Sequence, residues 1–218
     1  MYNNNNNWLA KMNRKYGRYA IKNLMLYIVI GQAIVFGFDF ILSSAGLSLS
    51  YQLFFSLPHI KAGQIWRLLS FVFLPPSSSL LFIAFALYFY WLIGSSLENE
   101  WGSFKFNVFY FTGIIGTMLG GLITQTATNM YINLSLFLAF AIIYPNFEIL
   151  VFFLLPVKVK YIAIIYVVFL IFQLITSGFG GRVAILISIL NILLFFGPEI
   201  IDQIRNWRRR MKWKRNYR

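Results

Sequence analysis

Long apolar stretches recur along this chain and leave it few ways to fold in water. Six of them are predicted as spans, at residues 23–42, 79–97, 106–124, 129–144, 161–176 and 182–197. A helix needs about 20 apolar residues to cross the hydrocarbon core of a bilayer. Continuous apolar runs favour helices over barrel strands, in which polar and apolar residues alternate. The sequence therefore predicts an all-α membrane protein with six transmembrane helices, the fourth short and enclosed by the others.

The composition agrees with this class and excludes several kinds of function. Hydrophobic residues fill 59% of the 218 positions and charged residues only 11%, whereas soluble proteins carry about 25% charged residues. The chain has no cysteine and one histidine, so we expect no metal or other cofactor. It also lacks a phosphate-binding glycine-rich loop and a dinucleotide fingerprint, which disfavours nucleotide-dependent enzymes.

The positive charges predict how the chain crosses the membrane. Six spans put both termini on one side, and all but three of the 19 Lys and Arg residues then fall on that side. Loop positives mark the cytoplasmic face, so we expect both termini in the cytoplasm. The predicted parts are a basic amino tail (1–22), a membrane domain (23–197) and a polybasic carboxy tail (198–218). The net charge of +13 is then a topology signal and not a sign of nucleic-acid binding.

A long segment separates the first two predicted spans. Residues 43–76 are expected outside the cytoplasm, as a loop with one interfacial or half-inserted helix. The first apolar stretch is preceded by a long basic region and lacks a convincing cleavage site, so it is predicted to be a retained span and not a signal peptide. The many Ile, Lys, Asn and Tyr residues point to an AT-rich bacterial genome, and hence to a bacterial cytoplasmic membrane.

Three groups of residues flank or stripe the second and third spans. Gln-Ile-Trp-Arg-Leu-Leu precedes the second span, a Gly-x-x-Leu-Glu-x-x-x-Gly motif closes it, and glycines stripe the third. Their members are Trp66, Arg67, Gly94, Leu97, Glu98, Gly102, Gly113, Gly116, Gly120 and Gly121. In this order and spacing they resemble the rhomboid superfamily, including the derlins, over residues 64–197. The resemblance implies a six-span rhomboid-like bundle with a long extracytoplasmic first loop.

These residues also have direct physical interpretations. Trp66 suits the membrane interface, and Arg67 can donate five hydrogen bonds, enough to hold carbonyls of the loop. Glu98 can accept bonds from the following turn or from Lys105. Interface anchoring without a specific role is the alternative for all of them. The spacing of Gly116 and Gly120 lets a neighbouring helix approach closely, which predicts bundle packing and implies no ligand.

Several polar residues fall inside the predicted spans: Asp39, Asn107, Asn129, Asn133, Gln173 and Asn191. The amides are expected to form hydrogen bonds between helices. A charged carboxylate in lipid is unfavourable by several kcal/mol. Asp39 is therefore expected near the outer interface, protonated, or paired with Arg182.

The resemblance implies where catalysis would occur, and the reactive groups are missing there. Active rhomboids carry Gly-x-Ser-Gly at the start of the fourth span, and aligning on residues 144–146 places Met130 at the nucleophile position. Gly178 or a neighbour replaces the histidine of the sixth span. Residues 79–86 contain no His or Asn for an oxyanion. Because a serine is a poor nucleophile without a base, we expect no catalytic residues. The resemblance then implies a pseudoprotease that binds or handles other proteins' transmembrane segments.

Substrate spans enter the rhomboid-like fold between the second and fifth spans. Bulky residues there predict a client gate, because such faces part more readily than small-residue seams. The gate residues are Phe82, Phe85, Phe89, Phe169 and Gln173. Contact of these faces with lipid alone is the alternative. The expected partners are membrane lipids and transmembrane client proteins.

Two other functions stay open. A misaligned but active rhomboid-type serine protease would need an unorthodox pair such as Ser135 and His59. A lipid-binding membrane organiser would use the cations and indoles of the carboxy tail, which suit anionic headgroups. These tail residues are Arg205, Trp207, Arg208, Arg209, Arg210, Lys212, Trp213, Lys214 and Arg215.

Overall fold

The computed structural model describes residues 8–76, 79–151 and 155–195. In chain order its α-helices are α1 (Trp8–Tyr16), α2 (Leu24–Leu42), α3 (Leu49–Leu53), α4 (Leu57–Lys61), α5 (Arg67–Ser70), α6 (Leu80–Trp101), α7 (Ser103–Thr124), α8 (Met130–Ile143), α9 (Val159–Thr176) and α10 (Phe179–Phe195). Among the described residues, α2, α6, α7 and α9 are long and apolar enough to cross a membrane, and α8 and α10 are shorter apolar helices. The predicted α-helical class is confirmed, and the long apolar helices are those expected of a membrane protein.

Two short antiparallel ribbons add to the predicted all-α design. β1 (Phe55–Ser56) pairs with β2 (Thr126–Ala127) and joins the first loop to the connection after α7. β3 (Glu148–Val151) pairs with β4 (Leu155–Lys158) in the connection between α8 and α9. Each ribbon provides hydrogen-bond partners for backbone that has just left a helix, where unpaired amides and carbonyls would be unfavourable.

Helix α8 occupies the centre of the bundle, where it packs on α6, α7 and α9. It is 14 residues long and therefore rises only about 21 Å, less than the roughly 30 Å core of a bilayer. Its buried side chains include Leu136, Ala139 and Phe140. The prediction of a short, enclosed fourth helix is confirmed. Helix α9, by contrast, is largely exposed, and only 11% of its most apolar segment is buried.

Glycines allow the closest helix contacts. A Cβ atom added at Gly94 in α6 would lie 2.3 Å from Cγ of Met25 in α2. Added at Gly116 or Gly120 in α7, it would lie 2.8 or 2.7 Å from the Ile187 side chain in α10. The predicted packing role of Gly116 and Gly120 is confirmed, and Gly94, from the motif that closes the second span, allows the α2–α6 contact.

One end of the bundle is organised by Glu98, which is buried near the end of α6. Its Oε1 accepts hydrogen bonds from the backbone N–H of Asn23, at the start of α2, at 2.8 Å, and from Ser103 Oγ, at the start of α7, at 2.6 Å. The prediction that Glu98 accepts bonds from the following turn is confirmed. The Lys105 ammonium lies 4.9 Å from the centre of the Trp101 ring. We call this the Glu98 end.

Further contacts show where the ends of α7, α8 and α10 lie. The Tyr144 hydroxyl, just after α8, donates to Glu100 Oε2 at 3.4 Å, so the end of α8 lies at the Glu98 end. At the opposite end, a Cβ at Gly180 in α10 would lie 3.3 Å from Thr124, the last residue of α7. Helices α6 and α8 therefore finish at the Glu98 end, where α7 begins. Helix α10 begins at the opposite end, where α7 finishes. Helix α1, from the predicted amino tail, packs against α7.

We expect Gly94→Ala to destabilise the protein because the new methyl group would overlap Met25, which is fully buried. Overpacking of this kind is unfavourable by about 1–3 kcal/mol. Gly37→Ala in α2 is the matched control, since nothing lies within 4 Å of its Cβ position. Thermal unfolding in detergent should show a lower midpoint for Gly94→Ala alone. Equal midpoints would mean that α2 and α6 do not meet at Gly94.

Candidate functional site

The first loop is tied to the end of α2 by Asp39. This carboxylate accepts hydrogen bonds from the backbone N–H groups of Leu49 and Ser50 and from the hydroxyls of Ser48 and Ser50. The N–H groups belong to the first turn of α3, where an anion is favoured by unpaired amides. Pairing with Arg182, one expectation for Asp39, is wrong.

Arg182 instead donates to the carbonyl of Ile175 at 3.0 Å. That carbonyl lies in the last turn of α9, where the backbone acceptors have no partner within the helix. Arg182 therefore caps the end of α9, while Asp39 has its own polar partners in the first loop.

Arg67 fixes the middle of the first loop. Its side chain is 2% exposed and donates to the carbonyls of Tyr51 and Phe54 at 2.8 and 3.1 Å and to Gln64 Oε1 at 2.7 Å. The predicted hold on the loop carbonyls is confirmed. Trp66, which is half exposed, donates from Nε1 to the carbonyl of Gln52 at 3.2 Å. The two motif residues hold the same turn from two sides.

Two buried amides hold the last part of the loop against the bundle. Gln32 Nε2 in α2 and Asn129 Nδ2 just before α8 both donate to the Val72 carbonyl, at 3.1 and 3.2 Å. Asn129 Nδ2 also lies 2.8 Å from the Leu74 carbonyl. These bonds hold the segment that leads into Pro75 against the start of α8.

Beneath this segment lies a cavity of about 700 Å³ between α6, α8 and α9, which we call the lateral cavity. Both α6 and α9 pack on α8, which forms the cavity floor. The main lining residues are Phe85, Phe89 and Tyr90 of α6, Met130, Asn133 and Phe137 of α8, Ile162 and Tyr166 of α9, and the loop residues Pro75 and Pro76.

The cavity walls are aromatic and connected. The Phe85 and Phe89 rings are stacked with centroids 6.0 Å apart. Phe89 meets Phe137 at 6.2 Å, and Phe137 meets Tyr166 at 6.4 Å. Such pairs contribute about 0.5–1.5 kcal/mol beyond their buried area. This row of rings runs from α6 through Phe137 of α8 to Tyr166 of α9.

The predicted gate residues divide into two groups. Phe85 and Phe89 line the lateral cavity. Phe82 is exposed one turn nearer the start of α6, Phe169 is half exposed beside Tyr166 with ring centroids 6.3 Å apart, and Gln173 is partly buried further along α9. Tyr90 and Tyr166 also line the cavity but were not predicted as gate residues. Tyr166 lies three residues before Phe169, on the same face of α9, whereas Tyr90 directly follows Phe89 and no spacing singles it out.

Met130 and Gly178, which were predicted to stand at the positions of the catalytic serine and histidine, lie in different surroundings. Met130 lines the lateral cavity and is half exposed, whereas the Cβ position of Gly178 has no atom within 4 Å. Helices α8 and α10 meet through other residues. Ser188 Oγ donates to the Tyr131 carbonyl at 3.2 Å, and Asn191 Nδ2 lies 3.4 Å from Ser135 Oγ.

The unorthodox pair of Ser135 and His59 is wrong. The Ser135 hydroxyl donates to the Ile132 carbonyl at 2.8 Å, and His59 Nδ1 lies 2.8 Å from Ser56 Oγ, which begins the turn of α4. The Ser56–His59 contact joins the N-cap residue of α4 to its third helical residue, so His59 is engaged within its own turn.

A second, smaller cavity of about 310 Å³ lies between α7, α8 and α10. Its lining includes Gly120, Gly121, Thr128, Tyr131 and Gly181, with no carboxylate or imidazole among its described residues. In the described part of the chain, no three His, Cys, Asp or Glu residues lie close enough to hold a metal ion. The predicted lipid-binding residues, Arg205 to Arg215, lie outside the described residues.

Over residues 8–76, 79–151 and 155–195, the fold is α-helical, with four helices of membrane-spanning length and an aromatic cavity against the central helix α8. Neither the protein-family models, nor the curated proteins, nor the solved structures contain a match to this chain.

We expect Arg67→Lys to destabilise the protein by about 2–4 kcal/mol, because a single ammonium cannot reach all three acceptors and each buried charged bond contributes about 1.5–3 kcal/mol. Arg182→Lys is the matched control, since the exposed Arg182 makes one backbone bond and should change stability by less than about 0.5 kcal/mol. Chemical unfolding in micelles measures both. An equal loss in the two variants would contradict the anchoring role of Arg67.

Proposed function

We propose that this protein is a rhomboid-like pseudoprotease that binds transmembrane segments of other membrane proteins. The lateral cavity is the observation that carries the proposal. It lies between two apolar helices that are joined mainly through α8, and its volume of about 700 Å³ is within the range of ligand-binding pockets. A cavity in this position is accessible from the lipid, where partner helices are found.

The proposal includes a six-span bundle in which α8 and α10 join the four long helices. The contacts that the motif residues make support this bundle. Arg67 and Glu98 are both buried and hydrogen-bonded, and Gly116 and Gly120 contact α10. A 14-residue α8 suits this bundle because its neighbours, and not lipid, surround it.

Binding is favoured over catalysis by the chemistry of the α8–α10 contact. Active rhomboids place a serine and a histidine there, whereas here the contact is made by Tyr131 with Ser188 and by Ser135 with Asn191. An amide cannot act as the general base that a serine needs at neutral pH. The protease alternative has no observation in its favour, and the residues of the lipid-organiser alternative lie outside the described part of the chain.

Orientation is the first test of the six-span bundle. The chain has no cysteine, so thiol labelling of this protein reports only on the single cysteine that is introduced. Ala62 is exposed in the first loop and Asn146 is exposed after α8, at the Glu98 end. We expect an impermeant thiol reagent applied to intact cells to label Ala62→Cys and not Asn146→Cys, because the positive charges place the Glu98 end in the cytoplasm.

Permeabilised cells provide the control for this experiment, because both cysteines should then be labelled. Labelling of Asn146→Cys in intact cells would contradict the proposed orientation. Labelling of both variants in intact cells would contradict the six-span bundle.

Client binding is tested by photo-crosslinking in native membranes. We expect a photoreactive residue at Phe85 or Phe169 to form discrete adducts with other membrane proteins, because Phe85 lines the lateral cavity and Phe169 lies beside Tyr166, which also lines it. Leu119 is the matched control: it is a large apolar residue on α7, 56% exposed, and does not line the cavity. Adducts there should be several times fewer. Equal yields at all three positions would mean general lipid exposure and would overturn the proposed function.

A further inference from the structure

Basic residues are concentrated at the Glu98 end of the bundle. They precede α2, lie in the first turn of α7, or flank the start of α9, where the backbone N–H of Lys160 binds the Pro145 carbonyl just after α8. In the described part of the chain they are Lys11, Arg14, Lys15, Arg18, Lys22, Lys105, Lys158 and Lys160. Of the acids here, Glu98 is buried and bonded, Glu100 binds Tyr144, and Glu148 is exposed. This end therefore carries an excess of positive charge.

Several of these cations lie over aromatic rings. The distance from cation to ring centre is 4.7–5.2 Å in the pairs Lys15–Tyr16, Arg18–Tyr19, Lys105–Trp101 and Lys160–Tyr161. The three tyrosine rings are between 44% and 67% exposed. Membrane proteins place amphipathic rings and long basic side chains at the level of the lipid headgroups. The pairs therefore mark the headgroup level at the Glu98 end.

Helix α1 adds an amphipathic surface at the same end. Met12 and Tyr16 lie four residues apart and share one face, and Lys11 and Lys15 share the neighbouring face. All four side chains are exposed although α1 packs against α7. Exposed apolar and basic residues side by side are typical of a helix at the membrane interface, where the apolar side chains reach the acyl chains and the cations remain among the headgroups.

We propose that α1 and the residues that join it to α2 bind the headgroups of anionic lipids such as phosphatidylglycerol. The cations that bind are Lys11, Arg14, Lys15, Arg18 and Lys22, which we call the amino-terminal basic surface. The first acid of the chain is Asp39, so the segment holds no carboxylate of its own to neutralise these charges. The inference concerns a different surface from the lateral cavity and does not depend on client binding.

The position of this surface favours a lipid over a soluble anion. Lys22 comes one residue before Asn23, whose backbone binds Glu98 where α2 begins. Because α2 is long and apolar enough to span a membrane, its start lies near the bilayer surface, where lipid phosphates are concentrated. A soluble phosphate would meet the cations, but it has no acyl chain to cover the exposed Met12 and Tyr16 side chains.

The test uses the full chain with a fluorophore on Asn13→Cys, since Asn13 is exposed on α1. The protein is reconstituted in phosphatidylcholine vesicles with a minor share of a lipid that carries a quencher high on one acyl chain. This lipid is either phosphatidylglycerol or phosphatidylcholine. We expect phosphatidylglycerol to give the same quenching at about fivefold lower content, the preference that one fully effective cation provides. Added salt should weaken this preference.

Two controls separate the amino-terminal basic surface from the rest of the chain. A fluorophore on Ala45→Cys, which is exposed just after the other end of α2, should show no preference between the two lipids. Lys15→Gln combined with Arg18→Gln should lower the preference at Asn13 by about half or more, because two of the nearest cations are lost. Lys212→Gln combined with Lys214→Gln removes the same charge from the carboxy tail and should leave the preference in place.

Three results would overturn the inference. Equal quenching by the two lipids at Asn13 would mean that no anionic lipid gathers at α1. An equal or larger loss of preference in the carboxy-tail variant would mean that net charge or the tail attracts the lipid. Loss of the preference with inorganic phosphate, but not with chloride at the same ionic strength, would mean that the surface binds free phosphate.

Discussion

The structure depends on enclosing a helix that is too short to face lipid along its whole length. The 14 residues of α8 leave its ends below the surface of a bilayer core, so the chain at both ends needs hydrogen-bond partners from protein. Side chains at both ends of α8 contact protein: Asn129, just before the helix, binds the first loop, and the Tyr144 hydroxyl, just after it, binds Glu100. The long outer helices, the folded first loop and the ribbons all serve this enclosure.

The first loop is held to the bundle by polar side chains at separate points. Gln32 and Asn129, which are buried, and the partly exposed Asp39 bind backbone groups of the loop. Arg67 bonds carbonyls within the loop itself, and Phe55 inserts fully buried against Gly121. Backbone groups cannot stay unpaired at membrane depth, so these bonds are a requirement of placing a loop there. Because the loop closes one end of the lateral cavity, its anchors also determine the shape of the candidate site.

The helices, the role of Arg67 and the packing of Gly116 and Gly120 could be predicted from the sequence because each follows from length, donor number or residue size. The exact extent of the gate could not. Helix α6 is apolar all round, so its sequence shows no preferred buried face. Phe82, Phe85 and Phe89 share a face as predicted, but Phe82 lies one turn too near the helix start to line the cavity. Partnerships between distant residues, such as Asp39 with Leu49 rather than Arg182, depend on tertiary placement that residue types alone do not specify.

The two faces of α8 make different kinds of contact. Toward α10, Ser135 is bonded to Ile132 and lies next to Asn191, whose Oδ1 accepts a bond from Thr112 at 2.9 Å. Hydrogen bonds between side chains and backbone therefore hold this contact. Toward α6 and α9, α8 instead lines the lateral cavity with Met130, Asn133 and Phe137. The hydrogen-bonded contact stabilises the bundle, whereas the lateral face of α8 borders open space, which is why the proposed client binding is placed there.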